Sequence, residues 1–187
     1  MGYLGNERDV VQDTILKYVQ EEQGVYKTAE GVELFLNLGW QYIDRNEALA
    51  KRGSESSLFF YDVLRQQLLL LNDFLTDDLA DELIRRLEKI PATLEGNLDI
   101  WEHLCGKKTV FVPSEKRERN VTFIDPERQN NVFQVTDEFS FYNGRSRNRY
   151  DVVFLINGIP VFFVETKAAH REDALGEALE QVARYHR

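Results

Sequence analysis

The stretch that decides the fold runs from Asp151 to Lys167 and reads Asp-Val-Val-Phe-Leu-Ile-Asn-Gly-Ile-Pro-Val-Phe-Phe-Val-Glu-Thr-Lys. It contains two strongly apolar runs joined by Asn-Gly at 157–158, a dipeptide typical of tight β-hairpins. Asp151 precedes the first run, Glu165 follows the second, and Lys167 comes two residues later. Two carboxylates and an ammonium at one end of a hairpin suit a divalent metal and the cleavage of a phosphodiester.

Length and composition are those of a soluble globular protein. The 187 residues make one large domain or two small ones, and 43% are hydrophobic and 29% charged. No apolar run approaches the roughly 20 residues that a membrane-spanning helix needs, and the N-terminus lacks the pattern of a secretory signal. The one cysteine, Cys105, excludes an internal disulfide. It fits a reducing cytosol, so we expect a cytoplasmic protein with Cys105 as a packed thiol.

The net charge of −9 is unevenly spread, because residues 107–150 carry 9 Lys and Arg against 6 Asp and Glu. The main basic clusters just before the acidic hairpin are Lys107-Lys108, Lys116-Arg117-Glu118-Arg119 and Arg145-Ser146-Arg147-Asn148-Arg149. Such a strip either holds phosphates through charge or forms solvated loops, and the composition leaves both interpretations open.

The first hundred residues read as helical, because apolar residues recur at helical spacing and Pro and Gly mark the ends. The predicted helices are Glu7 to Glu22, Thr28 to Trp40, Ser56 to Thr76 and Asp77 to Ile90. From about Thr109 the pattern favours strands. The predicted strands are Val121 to Ile124, Val132 to Tyr142, Tyr150 to Ile156 and Ile159 to Glu165. A last helix, Glu172 to Arg187, stops in mid-pattern, so we expect this chain to be the front part of a larger protein.

The register of the hairpin decides whether the two acids meet, because side chains alternate between the faces of a strand. A two-residue turn would put Asp151 and Glu165 on opposite faces. A three-residue loop, with Asn157 in a type I turn and Gly158 in the left-handed bulge position, would put them on one face, about 5–8 Å apart at Cβ. We predict the three-residue loop, which also brings Lys167 to that face.

The charged groups at the open end suggest a magnesium site. Adjoining carboxylates repel unless a cation neutralises them, and Mg²⁺ takes one or two protein carboxylates together with water and substrate phosphate. The backbone carbonyl of Thr166 is a candidate third protein ligand, and Lys167 would orient the attacking water and offset charge on the phosphate. Acids at the ends of a hairpin are also a common solvated surface pattern, so spacing alone leaves the choice open.

At these residues, Tyr150-Asp151 and Glu165-Thr166-Lys167, the sequence resembles the PD-(D/E)XK nuclease signature. The surrounding sequence looks like one branch of that superfamily, the N-terminal endonuclease domain of the restriction (R) subunit of type I restriction–modification enzymes. The resemblance runs from about residue 30 to the end. Its supporting segments are Leu38-Gly39-Trp40, Val121 to Asp125, Asn130-Asn131-Val132-Phe133, Asn157-Gly158-Ile159-Pro160 and the helix motif Gln181 to Tyr185.

The resemblance implies an α/β fold of the restriction-endonuclease type, in which a mixed β-sheet is flanked by helices and preceded by a helical region. Together with the change from helical to strand pattern near Thr109, it predicts a helical N-terminal region, residues 1–106, that packs on a nuclease core, residues 107–187. It also implies a Mg²⁺-dependent endonuclease that cuts double-stranded DNA.

The same resemblance assigns roles to residues of this chain. Asp151 and Glu165 match the metal carboxylates, Lys167 matches the catalytic lysine, and Gln181 and Tyr185 match an accessory pair that supports the site or contacts DNA. Apart from the resemblance, that pair reads better as a helix face whose tyrosine packs on the sheet. Tyr150 stands where the family usually has proline. In that family an upstream helix glutamate sometimes joins the site, and the candidates for it here are Glu30 and Glu33.

The resemblance implies partners as well. In that family the R subunit continues into an ATP-driven DNA translocase and assembles with modification and specificity subunits. The chain has no Gly-x-x-x-x-Gly-Lys-Ser/Thr phosphate loop, so ATP would act only in motor domains outside it. Its histidines, His103, His170 and His186, form neither a zinc pattern nor a catalytic triad. Two alternatives stay open: a stand-alone repair or resolvase-type nuclease of the same superfamily, and a docking module with a degenerate site.

Overall fold

A computed structural model of the chain describes residues 11–20, 25–27, 33–35, 39–91, 93–167 and 174–185. The predicted α/β class is confirmed, because helices accompany a four-stranded sheet and two two-stranded sheets. The helices are α1 (Asp13–Gln20), α2 (Arg45–Arg52), α3 (Tyr61–Leu71), α4 (Asp77–Glu88), α5 (Leu94–Leu104) and α6 (Ala174–Tyr185). The strands are β1 (Val25–Lys27), β2 (Glu33–Phe35), β3 (Gln41–Tyr42), β4 (Thr109–Val112), β5 (Arg117–Asn120), β6 (Phe133–Tyr142), β7 (Arg147–Ile156) and β8 (Ile159–Val164).

The four-stranded sheet has the strand order β3-β6-β7-β8. β3 runs parallel to β6, with Gln41 opposite Gln134 and Tyr42 opposite Val135. β6, β7 and β8 follow one another through short turns, so the sheet is mixed. The last three predicted strands are thus confirmed as β6, β7 and β8, and the last predicted helix is confirmed as α6 within the described residues.

The chain divides into two compact units, each drawing on separated stretches of sequence. The first comprises residues 1–56, 133–155 and 160–187, and the second comprises residues 57–132 and 156–159. This grouping by contact differs from the predicted division into residues 1–106 and 107–187. That division, drawn as a helical region and a nuclease core, stays a prediction.

Aromatic packing around Trp40 holds the first unit together. The Trp40 ring lies edge-on to Phe133, Phe154 and Phe162, at centroid distances of 5.2, 4.9 and 6.2 Å. Phe154 and Phe162 also stack on each other at 4.3 Å. Aromatic pairs of this kind add to the free energy gained by burial. The cluster therefore fastens the segment before β3 to β6, β7 and β8.

The second unit has its own apolar core, formed by residues of α3, α4, β4 and the segments beside them. α4 shows how the sequence builds it, because Leu83, Ile84 and Leu87 recur at helical spacing and are buried. The Thr76 hydroxyl caps this helix by accepting a hydrogen bond from the Leu79 N–H at 3.4 Å. The helix predicted from Asp77 is confirmed, and it ends at Glu88.

The predicted helix Thr28 to Trp40 is wrong, because Glu33–Phe35 forms strand β2. β2 pairs with β1 in an antiparallel ladder that sets Val25 opposite Phe35. The sequence carried a signal for this outcome, since apolar residues stand at positions 32, 34, 36 and 38, which is the period of a strand. Residues 28–32 and 36–38 lie outside the described part of the chain.

The predicted strand Val121 to Ile124 is also wrong, although Val121 and Phe123 are buried. The Asn72 side chain forms the backbone hydrogen bonds that a neighbouring strand would otherwise form with this segment. It accepts a hydrogen bond from the Thr122 N–H at 2.8 Å and donates one to the Thr122 carbonyl at 2.9 Å. The backbone of Thr122 is thus satisfied without a ladder, while the hairpin of β4 and β5, which the sequence did not reveal, precedes it.

Cys105 is a free and exposed thiol at the C-terminal cap of α5, so the expectation of a packed thiol is wrong. None of the helices in the described residues combines the length and the apolar character that a membrane crossing requires.

The turn between β7 and β8 differs from the predicted loop. β7 ends at Ile156 and β8 begins at Ile159, so only two residues connect them. Asn157 has a φ of 53° and Gly158 a φ of 79°. Positive φ at both central positions is the mark of a type I′ turn, whose twist matches that of the paired strands. The predicted three-residue loop is therefore wrong.

The buried Asn157 side chain explains why asparagine occupies this turn. Its Oδ1 accepts a hydrogen bond from the Val132 N–H at 2.8 Å. Its Nδ2 donates to the Phe123 carbonyl and to Asn131 Oδ1, both at 2.8 Å. One amide therefore satisfies three partners far away in sequence, and it also tolerates the left-handed backbone that the turn demands.

Gly158 offers a test of this close packing. A Cβ atom at position 158 would lie 2.6 Å from the Phe60 carbonyl oxygen and 3.0 Å from the Leu64 nitrogen. We expect Gly158→Ala to lower the free energy of unfolding by about 3 kcal/mol or more, because the backbone must shift in addition to bearing about 1–2 kcal/mol of left-handed strain. Urea unfolding measures the loss.

Gly53→Ala is the matched control for that experiment. Gly53 has a φ of 73° but nothing within 4 Å of an added Cβ, so only the strain of about 1–2 kcal/mol should appear. Equal losses in the two variants would contradict the close approach at Gly158.

Candidate active site

Two buried acids meet at the end of the β7–β8 hairpin. Asp151 lies inside β7 and is 4% exposed, and Glu165 directly follows β8 with a side chain that is 4% exposed. β8 ends at Val164, so Glu165 lies beyond the strand. The alternation of side chains between the two faces of the strand therefore does not fix the direction of the Glu165 side chain. Its carboxyl lies in hydrogen-bonding contact with that of Asp151. The path of the chain after β8, and not the predicted loop, brings the acids together.

Thr166 fixes the Asp151 carboxylate. Its backbone N–H donates to Asp151 Oδ2 at 2.8 Å, and its hydroxyl donates to the same oxygen at 2.9 Å. These two donors satisfy an acid that would otherwise be costly to bury in a sheet. The predicted metal ligation by the Thr166 carbonyl stays a prediction, since the groups that the structure places at Asp151 are its N–H and its hydroxyl.

Lys167 joins the acids to helix α6. Its Nζ lies 3.2 Å from Glu165 Oε1 and donates to Gln181 Oε1 at 2.8 Å. The Lys167 side chain is 14% exposed, so its charge is directed into the site and is little screened by solvent. The structure thus gathers Asp151, Glu165, Lys167 and Gln181 in one place.

Three other residues named from the sequence cannot be placed in the site. Tyr185 ends α6, one helical turn after Gln181, but its side chain lies outside the described part of the chain. The same is true of the side chain of Glu33, and Glu30 lies outside it altogether. The predicted roles of these residues stay predictions.

Tyr150, at the position where the resemblance leads one to expect proline, packs its ring near those of Phe139 and Phe163. The ring centroids lie 6.5 and 4.9 Å away. Burial of the phenol raises the pKa of Tyr150 above its ordinary value. The charge of Glu165 raises this pKa further, so the phenol lies near that acid.

The electrostatics of the site centre on Glu165. Burial raises the pKa of its carboxyl, and the neighbouring Asp151 carboxylate raises it further. The ammonium of Lys167 opposes this shift but does not cancel it. The folded protein therefore favours a proton, or another cation, at the Glu165 carboxyl.

Gln12, which directly precedes α1, belongs to this site, although no role was predicted for it. Its Nε2 donates to the Thr166 hydroxyl at 3.2 Å. The two residues are 154 positions apart, so spacing could not connect them. A polar residue one turn before the buried Leu16, on the inner side of a predicted helix, was the available signal.

The residues present fit a hard divalent cation. Asp151 and Glu165 offer two buried carboxylates in contact, and the buried Oε1 of Gln12 has no hydrogen-bond partner among the described residues. Within that part of the chain, no group of three or more His, Cys, Asp or Glu side chains is arranged to hold a metal. Two carboxylates are the number that Mg²⁺ commonly takes, with water filling the other positions.

Two arginines of the basic strip precede Asp151 on β7. Arg147, Arg149 and Asp151 stand at alternate positions, so their side chains leave the same face of the strand. Arg149 pairs with Glu138 at 2.9 Å, and Arg147 pairs with Glu55. The two arginine side chains are 62% and 63% exposed. Their acidic partners are less exposed, Glu55 at 31% and Glu138 at 13%.

A comparison with protein families gives one match that covers most of the chain. A family model described as "Type I restriction enzyme R protein N terminus" matches residues 20–187. The matched range includes both acids, Thr166, Lys167 and all of α6, whereas Gln12 lies before it.

Replacing Glu165 by glutamine tests the electrostatics. Because the pKa of Glu165 is raised, the stability that this group contributes is present below its ordinary pKa of 4.5 and is lost as the pH rises through the raised value. At neutral pH and without divalent cations the ionised carboxylate opposes folding. We therefore expect Glu165→Gln to melt at a higher temperature than wild type at neutral pH, and this difference to vanish as the pH falls to about 4.

Differential scanning calorimetry of the chain across pH measures this effect. Glu118→Gln, at an exposed position of β5, is the matched control and should show no such gain. A Glu165→Gln variant that melts like wild type at neutral pH would mean that burial and the neighbouring Asp151 do not destabilise the ionised Glu165 carboxylate.

Proposed function

Because the chain belongs to the family described as type I restriction enzyme R protein N terminus, we propose that it is the Mg²⁺-dependent endonuclease domain of such an enzyme. In this proposal the domain hydrolyses phosphodiester bonds of double-stranded DNA. The observation that carries it is the convergence of Asp151, Glu165 and Lys167 in one buried cluster. A purely structural role gives no reason to bury two acids against each other.

Asp151 and Glu165 would hold the cation, and the Thr166 carbonyl is the proposed third protein ligand. When bound, Mg²⁺ polarises the phosphate and lowers the pKa of a coordinated water. Thr166 keeps Asp151 oriented through its two hydrogen bonds. Because the carboxylates are already in contact, little reorganisation is needed before they act.

Lys167 is the residue proposed to act on the reacting groups. Its ammonium lies beside Glu165 and is held from the other side by Gln181. In this position it would orient the attacking water and offset the negative charge that develops on the phosphate. Gln181 would hold the lysine in place, and Tyr185, one turn further along α6, is proposed as the second member of this accessory pair.

Arg147 and Arg149 are proposed to guide the DNA backbone toward the acids. They share a face of β7 with Asp151 and are spaced along it by about 7 Å per pair of residues. Both arginine side chains are largely exposed, so phosphate oxygens can bind them beside Glu55 and Glu138. The arrangement supports a strand of DNA running along β7 into the site.

The wider setting is also a proposal. Cleavage would follow ATP-driven translocation by motor domains outside this chain, in a complex with modification and specificity subunits. Sequence choice would belong to another subunit, because nothing in this chain resembles a base-reading helix. The single cysteine is compatible with the cytoplasm.

Alanine substitutions test the catalytic assignment. We expect Asp151→Ala, Glu165→Ala and Lys167→Ala each to lower Mg²⁺-dependent nicking of supercoiled DNA by at least about 100-fold, because each removes a charge that stabilises the transition state. The assay uses the intact R protein with its partners. ATP hydrolysis and assembly should be unchanged.

The exposed Glu118→Ala is the control for the loss of an acid, and it should cut like wild type. Full cleavage by all three site variants would refute the assignment. It would then favour the alternative of a docking module.

The salt dependence of DNA binding tests the guiding role of the arginines. We expect the double variant Arg147→Ala/Arg149→Ala to reduce the slope of log affinity against log salt by about 2, because each arginine neutralises one phosphate. Arg117→Ala, an arginine of similar exposure on β5, should leave the slope near that of wild type. An unchanged slope in the double variant would exclude phosphate contacts by this pair.

A further inference from the structure

A chain of hydrogen bonds links the start of α1 to the acids of the site. Gln12 Nε2 donates to the Thr166 hydroxyl at 3.2 Å, and that hydroxyl donates to Asp151 Oδ2 at 2.9 Å. Gln12 is 4% exposed, Thr166 is 3% exposed and Asp151 is 4% exposed. The whole chain therefore lies in the interior, where orientation is strongly coupled to polar contacts.

The orientation of the Gln12 amide follows from this chain. A threonine hydroxyl has one hydrogen, and here it is directed at Asp151. Thr166 can therefore only accept from Gln12, so the NH₂ group of Gln12 faces the hydroxyl and its Oε1 faces elsewhere. That Oε1 is buried and has no hydrogen-bond partner among the described residues.

The unsatisfied oxygen belongs to the same amide group as the Nε2 that donates to Thr166, and a single carbon separates the two atoms. A buried acceptor without a partner costs free energy and calls for a water, an ion or a functional role. Divalent cations such as Mg²⁺ keep several waters when protein carboxylates bind them, and each such water has hydrogens to donate.

We propose that Gln12 is a positioning residue of the site, which holds the Thr166 hydroxyl on Asp151 and accepts a hydrogen bond at Oε1 from the hydration shell of the bound cation. This inference rests on the proposed function, since it presumes a cation at Asp151 and Glu165. It adds a residue that lies before the range matched by the family. Partners of this kind commonly change metal affinity by about 10–100-fold.

Cation binding, measured apart from catalysis, tests the inference. Mn²⁺ serves as a paramagnetic probe, and electron paramagnetic resonance measures its binding to the intact R protein without DNA or nucleotide. The binding component that Asp151→Asn abolishes identifies the site. For that component we expect Gln12→Met, which keeps the length of the side chain but removes both polar atoms, to weaken the affinity by about tenfold.

Gln20→Met is the matched control. Gln20 is the last residue of α1, the helix that Gln12 precedes, and its Nε2 donates to the Leu16 carbonyl at 2.7 Å. Its replacement should leave the Mn²⁺ affinity unchanged. Gln12→Asn provides a second variant in case Gln12→Met fails to fold, because it keeps the amide but is too short to reach Thr166, and it should weaken binding by a similar factor.

A double-mutant cycle with Thr166→Val separates positioning from simple loss of packing. If Gln12 acts through Thr166, the affinity lost in Gln12→Met/Thr166→Val should be clearly smaller than the product of the two single losses. If the affinity losses of the two single variants multiply in the double variant, Gln12 and Thr166 act independently, and the proposed action of Gln12 through Thr166 is refuted.

The outcomes also distinguish this inference from the proposed function. Wild-type affinity in both Gln12 variants, together with loss of the component in Asp151→Asn, would refute the role of Gln12 and leave the nuclease proposal standing. If Asp151→Asn removes no component at all, the cation site itself is refuted, and the inference falls with it.

Discussion

The hydrogen bonds from Thr166 to Asp151 are the interaction on which the candidate site depends. A carboxylate in the interior of β7 would be unstable without donors, and Thr166 supplies two, from its backbone and from its hydroxyl. To do so, the chain must turn back toward β7 as soon as β8 ends. This turn carries Glu165 to Asp151 on one side of the threonine and directs Lys167 toward α6 on the other. The satisfaction of one buried acid thus sets the geometry of its neighbours.

In the resulting site, burial and a neighbouring like charge destabilise the ionised form of Glu165. Burial raises the pKa of Glu165, the Asp151 carboxylate raises it further, and Lys167 offsets the shift in part. Buried groups of like charge persist where function requires them, and they are candidates for cation binding or catalysis. The polar contacts around the pair, from Thr166, Gln12 and Gln181, hold it in a form that suits a hard cation.

Much of the fold could be predicted from the sequence, and the errors have physical explanations. Helix α4 and strands β6, β7 and β8 follow from their periodicity, because each buries one face or both. The helix predicted over strand β2 is wrong because a short apolar segment fits the period of a helix as well as that of a strand. The strand expected at 121–124 fails because Asn72 supplies the hydrogen bonds of a neighbouring strand. At the β7–β8 turn, the Asn-Gly dipeptide correctly predicts a hairpin. The predicted three-residue loop, which would put both acids on one face, is one residue longer than the observed turn.

The sequence by itself determined the residue types of the site and the hairpin that presents them, since both lie within one stretch of 17 residues and depend on local rules of strand and turn. It also determined the family, which the matched range bears out. Only the tertiary structure decided how the acids meet, because the path of the chain after β8 depends on a hydrogen bond between Thr166 and Asp151. It alone decided the place of Gln12 as well. Contacts between residues 154 positions apart leave no period or spacing in the sequence, and they form only when the core closes around them.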